Sequence, residues 1–286
     1  MKAYIEVSVI NRSIDQGHDA ISLAEHLRVL GYEPVLGLNV IYELAKCFLT
    51  DRSIPRGREL FVFVDDLAPT FHWGPQQLME QEVERFRHGT VVLPFLDHLN
   101  HVSTVMDVRK LRAGILSTDM REIIETREAD IAANAPKNDA LYLRQVDELR
   151  AQYPGKVRRF RTYEDVLTQF APDLHRFLEA LVNRSRRLIS ADEARRITNR
   201  IDEFPAIRSV VRAHMYLLFH CLVHRTGAGR DKLGDYRHVA EAAYCKALAT
   251  ADWQLAKTGP KINPELLVLT FETLWGHKLK PRTDSN

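Results

Sequence analysis

Ala3-Tyr4-Ile5-Glu6-Val7-Ser8-Val9-Ile10 is a run of β-branched, aromatic and small residues with a single acid inside it. Its composition predicts a buried strand over residues 3–10. A carboxylate within such a run is costly to bury without a partner or a cation, which draws attention to Glu6. Outward from this run, residues 11–17 read as a polar break. Ile21, Leu23, Ala24, Leu27 and Leu30 then recur at helical spacing until Gly31 stops the helix. Pro34-Val35-Leu36-Gly37-Leu38 reads as a second short strand, and Val40, Ile41, Leu44, Ala45 and Phe48 mark a second helix. Strand, helix, strand, helix at this spacing is a βαβ pattern, so a central parallel sheet is expected.

After residue 55 the pattern becomes helical. Stretches 56–66, 75–87, 95–111, 119–153, 163–183, 191–203 and 205–225 all read as helices, with a short extended piece at residues 90–94. The α/β pattern returns with a helix over residues 235–246, a short apolar run at Ala247-Leu248-Ala249-Thr250, and Asp252 directly behind it. The expected organisation is one α/β domain built from residues 1–55 and 226–286, interrupted by a mostly helical insertion over residues 56–225.

The chain has 286 residues, 45% hydrophobic and 27% charged, which is enough apolar material for a real core. A net charge of +2 does not by itself announce a nucleic-acid partner, although local clusters remain informative. Three cysteines, Cys47, Cys221 and Cys245, are too few and too scattered for a disulfide framework and suit a reducing compartment. The first residues lack the apolar core of a secretory signal, and the most apolar stretch, residues 210–223, is too short to span a bilayer. A cytoplasmic location is therefore expected.

Three segments resemble the PIN-like nuclease family. Tyr4-Ile5-Glu6-Val7-Ser8-Val9-Ile10-Asn11 is similar to the family's opening strand, with Glu6 where the family usually carries Asp and Val7-Ser8 in place of Thr-Asn. Val40-Ile41-Tyr42-Glu43-Leu44-Ala45 resembles the early helix with its acid. Gly234-Asp235-Tyr236-Arg237-His238-Val239-Ala240, followed by Leu248-Ala249-Thr250-Ala251-Asp252, resembles an Asp-led helix and the Thr-x-Asp at the end of the next strand. The resemblance covers roughly eighty residues, split between the two ends of the chain.

What the resemblance implies is a PIN-like, Rossmann-type three-layer α/β domain acting as a metal-dependent endonuclease. Glu6, Glu43, Asp235 and Asp252 are then the catalytic carboxylates holding Mg²⁺ or Mn²⁺, with Ser8, Asn11, His238 and Thr250 in support. Hard oxygen ligands suit such ions, which activate water and stabilise an in-line phosphodiester displacement. RNA is the expected substrate rather than DNA, in a toxin-like or defence role, with an antitoxin-like protein or a second copy of the chain as partner. The extra methylene of Glu6 reaches about 1.5 Å further than Asp, which implies a shifted metal site. A PIN-like scaffold that has lost efficient metal binding and serves as a protein- or nucleic-acid-binding module is the alternative.

Simpler readings stand beside these. Asp235 and Asp252 also fit helix caps, Glu43 a solvated helical acid, and Glu82 part of an acidic face. His220 and His224, four apart, lack the companions of a zinc site. Basic residues cluster at Lys156, Arg158, Arg159 and Arg161, and again at Arg186 and Arg187; these are the expected backbone-tracking residues, with Phe160 and Tyr163 as stacking candidates. Arg208 and His214 have the spacing of a helical HEPN-type ribonuclease motif, a third reading.

Overall fold

The opening strand is shorter than its composition predicts. In the computed structural model, which describes residues 1–152, 160–183, 188–224, 226 and 230–276 (backbone only over 230–234), β1 spans Lys2–Ile5 and helix α1 follows at once over Val7–Asp15. Val9, Ile10 and Ser13 share one helical face and are buried, so packing of that face overrides the strand preference of a β-branched run. The expected break at residues 11–17 is likewise mostly the second half of α1, closed by Gly17 in a left-handed conformation.

The chain continues through α2 (Ala20–Val29), β2 (Glu33–Gly37), α3 (Leu38–Ala45), α4 (Ile54–Leu67) and β3 (Thr70–His72). A long helical stretch follows: α5 (Pro75–His88), α6 (His98–Arg112), α7 (Thr118–Gln152), α8 (Tyr163–Phe170), α9 (Leu174–Val182), α10 (Ala191–Thr198), α11 (Pro205–His224) and α12 (Arg230–Glu241). The remaining elements are β4 (Ala247–Thr250), α13 (Trp253–Ile262), β5 (Leu267–Thr270) and α14 (Phe271–Trp275).

All five strands are parallel, in the order β3-β2-β1-β4-β5, so the α/β class expected from the sequence is present. Strand β3 lies inside the stretch expected to be wholly helical; three residues flanked by long helices carry too little periodicity to be seen. Residues 90–94 hold no strand, and Phe95 makes only an isolated antiparallel bridge to His72. Ala3, Tyr4 and Ile5 on β1 and all of β4 are buried consecutively, which requires cover on both faces of the sheet, as parallel sheets have.

The connection pattern sets where a site belongs. The chain steps outward from β1 to β2 to β3, then returns through the helices to lay β4 on the other side of β1. The carboxyl ends of β1 and β4 therefore flank a topological switch point, where the loops diverge and leave a crevice.

Helix α11 joins the helical stretch to the sheet domain, packing against α5, α7, α8, α12 and α13. Among the described residues it is the one helix long and apolar enough to cross a membrane, but most of it is buried in the core. Its first turn is capped from outside: the two Glu82 oxygens, fully buried on α5, accept from the backbone N–H groups of Ala206 and Ile207, each at 2.8 Å. Tyr244 donates to the same carboxyl at 2.6 Å. Glu82 is thus a structural cap and not part of a solvated acidic face. Replacing Glu82 by Ala orphans these donors and is expected to cost about 2–4 kcal/mol in denaturant unfolding. Burial pushes the Glu82 carboxyl up to about 7 from its ordinary 4.5, against the opposing pull of its three donors. The folded chain then keeps a proton that the unfolded chain sheds, so this contribution to stability is full below pH 4.5 and lost as pH rises through about 7. Glu82→Gln is expected to flatten the stability profile across that window; an unchanged slope would show that Glu82 does not titrate there.

Candidate functional site

Glu6 is the first residue beyond β1, in extended backbone (φ −86°, ψ 154°) at the junction between strand and helix α1. Its N–H bonds the carbonyl of Ala249 at 3.0 Å, extending the β1–β4 pairing by one step and pinning the acid at the switch point. The hydroxyl of Ser8 donates to Glu6 Oε2, and Thr250, at the end of β4, donates to the same oxygen at 3.1 Å. Ser8 also accepts from the Ala251 N–H at 2.9 Å, and Thr250 Oγ1 from the Asp252 N–H at 3.0 Å. The two strand ends are thereby tied together around one carboxylate by Ser8 and Thr250.

His238, buried on α12, faces this carboxylate. Its Nε2 lies 4.0 Å from Glu6 and 3.4 Å from Glu43, and its Nδ1 lies 3.8 Å from Glu241 and 3.0 Å from the Tyr4 hydroxyl. Burial alone would push the imidazole down, but the bonds to Glu241 and Glu43 and the charges of Glu43 and Glu6 overcome it and raise it to about 10. His238 is therefore an imidazolium at neutral pH, the counter-charge to three carboxylates. Burial tends to raise the Glu43 carboxyl, yet the bond and charge of His238, with help from Lys46 and Arg127, hold it below its usual value.

Beneath His238 lies a second layer that sequence reasoning missed. Glu241 is fully buried and accepts from the Tyr4 hydroxyl and from Asn39 Nδ2, and Asn39 Oδ1 in turn accepts from Arg127 of α7. The Tyr4 hydroxyl is raised well above its ordinary value by burial and then by the charge of Glu241, so it stays a donor. Gly37 makes room for this layer: a Cβ there would come within 2.7 Å of Glu241 Oε2 and 2.9 Å of the Tyr4 oxygen. The one sequence signal was Glu241 itself, a lone acid within Val239-Ala240-Glu241-Ala242-Ala243. Asn39 and Arg127 carried none.

The four expected carboxylates divide. Glu6, Glu43 and Asp235 line one cleft of about 1370 Å³ between the sheet edge and the helical stretch, together with Ser8, Asn11 and His238. Asp235 does not open its helix, because α12 begins five residues earlier at Arg230. Asp252 is spent as the cap of α13, its Oδ1 accepting from the N–H groups of Gln254 at 2.6 Å and Leu255 at 2.9 Å. Among the described residues no group of three or more Asp, Glu, His or Cys side chains is placed to hold a metal ion. What converges is two carboxylates on one positive charge, and Mg²⁺ is commonly held by one or two carboxylates while keeping its waters. The pair Glu6 and Glu43 fits such an ion in kind; the expected four-acid set does not form.

The basic wall also differs from expectation. Lys156, Arg158, Arg159, Arg186 and Arg187 lie outside the described residues, and Arg161 does not line the cleft. Arg12, Lys46, Arg127 and Arg237 do. Phe160 and Tyr163, the stacking candidates, are buried in the core. Arg208 is buried and bridged to Glu265 and Asp202, while His214 bonds the carbonyl of Val210 one turn back and lines the cleft. No family model, curated protein or solved structure matches this chain.

Removing the imidazolium leaves buried carboxylates without their counter-ion, so His238→Ala is expected to destabilise the fold by about 3–5 kcal/mol. Because its folded value exceeds the ordinary 6.5, His238 stabilises the fold fully below pH 6.5 and loses that contribution as pH rises towards 10. Nitrogen NMR of the ring should therefore report a cation at pH 8. A midpoint near 6.5 would contradict this charge assignment.

Proposed function

We propose that this chain is a metal-dependent nuclease of PIN-like type that hydrolyses phosphodiester bonds, with RNA as substrate in preference to DNA. The observation that carries this reading is the convergence of Glu6 and Glu43 on one positive charge, at the switch point of a parallel sheet, in a large cleft whose lining mixes Arg12, Lys46, Arg127 and Arg237 with Asp130, Asp139 and Asp235. Ligand sites in open α/β sheets lie at that crevice. A cleft of about 1370 Å³ exceeds what a single small ligand fills and suits a segment of polymer.

In this reading Glu6 and Glu43 would hold Mg²⁺ or Mn²⁺, which would supply Lewis-acid chemistry. The residues of the chain supply the positioning. Ser8 and Thr250 fix the direction of Glu6, His238 supplies a counter-charge to Glu6 and Glu43, and Arg12, Lys46, Arg127 and Arg237 attract the polyanion. Asp235 is half-buried on the cleft wall and, in this reading, orients water or substrate.

A second reading is favoured by His238 itself. An imidazolium that already offsets part of the charge of Glu6 and Glu43 leaves a weaker pull on a divalent ion, as in a PIN-like scaffold that binds nucleic acid or protein without cutting it. Titration calorimetry with Mn²⁺ and an RNA cleavage assay with and without EDTA separate the two. The nuclease reading expects metal heat and EDTA-sensitive cleavage, reduced at least about 100-fold by Glu6→Gln or Glu43→Gln. Asp252→Asn is expected to lower stability and leave the metal heat in place, since Asp252 caps a helix. Absence of metal heat in the parent protein decides for the scaffold.

A further inference from the structure

We infer that Arg127 and Arg237 form a phosphate-binding subsite on the wall of the cleft, gripping the backbone of a single-stranded nucleic acid. The inference rests on the proposed reading of the cleft as a nucleic-acid site, and it assigns the grip to residues outside the basic clusters that stand out in the sequence.

Both side chains line the cleft that holds Glu6 and Glu43. They come from different parts of the chain: Arg237 is exposed on α12 directly before His238, and Arg127 reaches in from the long helix α7. Arg127 is held in place from two sides. It donates through Nη2 to Asn39 Oδ1, and its guanidinium lies 5.1 Å over the ring of Tyr42. The Asn39 bond uses one of five guanidinium donors, and the planar fork that remains matches the non-bridging oxygens of a phosphodiester.

The electrostatics point the same way. Burial first, and then the charge of Arg237, pull the Arg127 guanidinium below its ordinary value, while Glu241 and Glu43 oppose this. Half-buried Arg127 and exposed Arg237 thus add like charge to one cleft wall, which favours an incoming anion there. Of the other basic side chains on the wall, Lys46 is paired with Glu128 at 2.6 Å and Arg12 lies over the ring of Phe271 at 4.7 Å, and Asp130 and Asp139 of α7 line the same cleft. Through Asn39 and Glu241, Arg127 is also linked to Tyr4 and His238, so a phosphate bound there is registered against the carboxylates by a buried chain of hydrogen bonds.

The test is binding of a short fluorescein-labelled single-stranded RNA to the full chain, followed by anisotropy across a salt series with EDTA present to suppress cleavage. Arg237→Gln, on an exposed side chain, and Arg127→Gln should each weaken binding and reduce the slope of log K against log salt by about 0.7, the contribution of one neutralised phosphate on a single strand. Arg200→Gln, in an exposed ion pair with Glu203, should leave the slope unchanged. Inorganic phosphate in excess should compete with the parent protein and less well with Arg237→Gln. An unaltered slope and affinity in Arg237→Gln overturns the subsite even if Arg127→Gln fails to fold, and so does competition by polyglutamate as effective as that by unlabelled RNA, which would mark an acidic protein as the ligand. RNA binding with the expected slope changes in a protein that never cleaves would sink the nuclease reading and leave the subsite standing. Cleavage by a protein whose slope ignores Arg237 would do the reverse.

Discussion

A single buried positive charge organises the centre of this protein. His238 sits among Glu6, Glu43 and Glu241 and is held protonated by them. Without it the end of β1, the helix α3 and the last turn of α12 would bring like charges together in a desolvated place, which a fold of ordinary stability does not tolerate. With it, the same acids become a set of acceptors whose directions are fixed by Tyr4, Ser8, Asn39 and Thr250. Three of the four groups that meet the imidazolium come from the sheet domain's first forty-five residues, and the imidazolium itself comes from the far end of the helical stretch. The charge therefore also joins the two parts of the chain.

The sheet makes that meeting possible. Because β1 is central and β4 pairs with it from the other side, the segments leaving β1 and β4 share one crevice. Glu6 and Thr250 are the residues at those two exits, and their hydrogen bond is a direct consequence of strand order. The helical stretch closes the remaining sides, with α7 supplying Arg127 and α12 supplying Asp235, Arg237 and His238. The cleft is thus a joint property of sheet and helices, and neither part carries the whole set of lining residues.

Reading the chain in order recovered the α/β class, the first βαβ unit, the helical middle and strand β4 after α12, and missed β5 at Leu267–Thr270, because only the former have periodicity or composition that survives in one dimension. It failed where packing outvoted local preference. Val7–Ile10 has the composition of a strand and is helix, because Val9 and Ile10 are buried on one face of α1. Strand β3 was lost between helices because three residues are too few to show a period. Asp252, read as a ligand in the light of the PIN-like resemblance, is a helix cap, the plainer of its two meanings. Glu82, read as a solvated acid, is a buried cap for a helix more than a hundred positions away.

The sequence by itself determined that Glu6 is an acid inside an apolar run and that Glu43 sits in a helix with an apolar face. Local composition and spacing suffice for that, since burial of a strand or of one helical face is written in its neighbours. Only the tertiary structure decided which charges meet. Glu241 finds Tyr4 and Asn39 from 237 and 202 positions away, and Arg127 reaches Asn39 across 88. Such pairings depend on how far each helix travels and on which side of β1 the chain returns, quantities set by packing of the whole and recorded in no single stretch of residues.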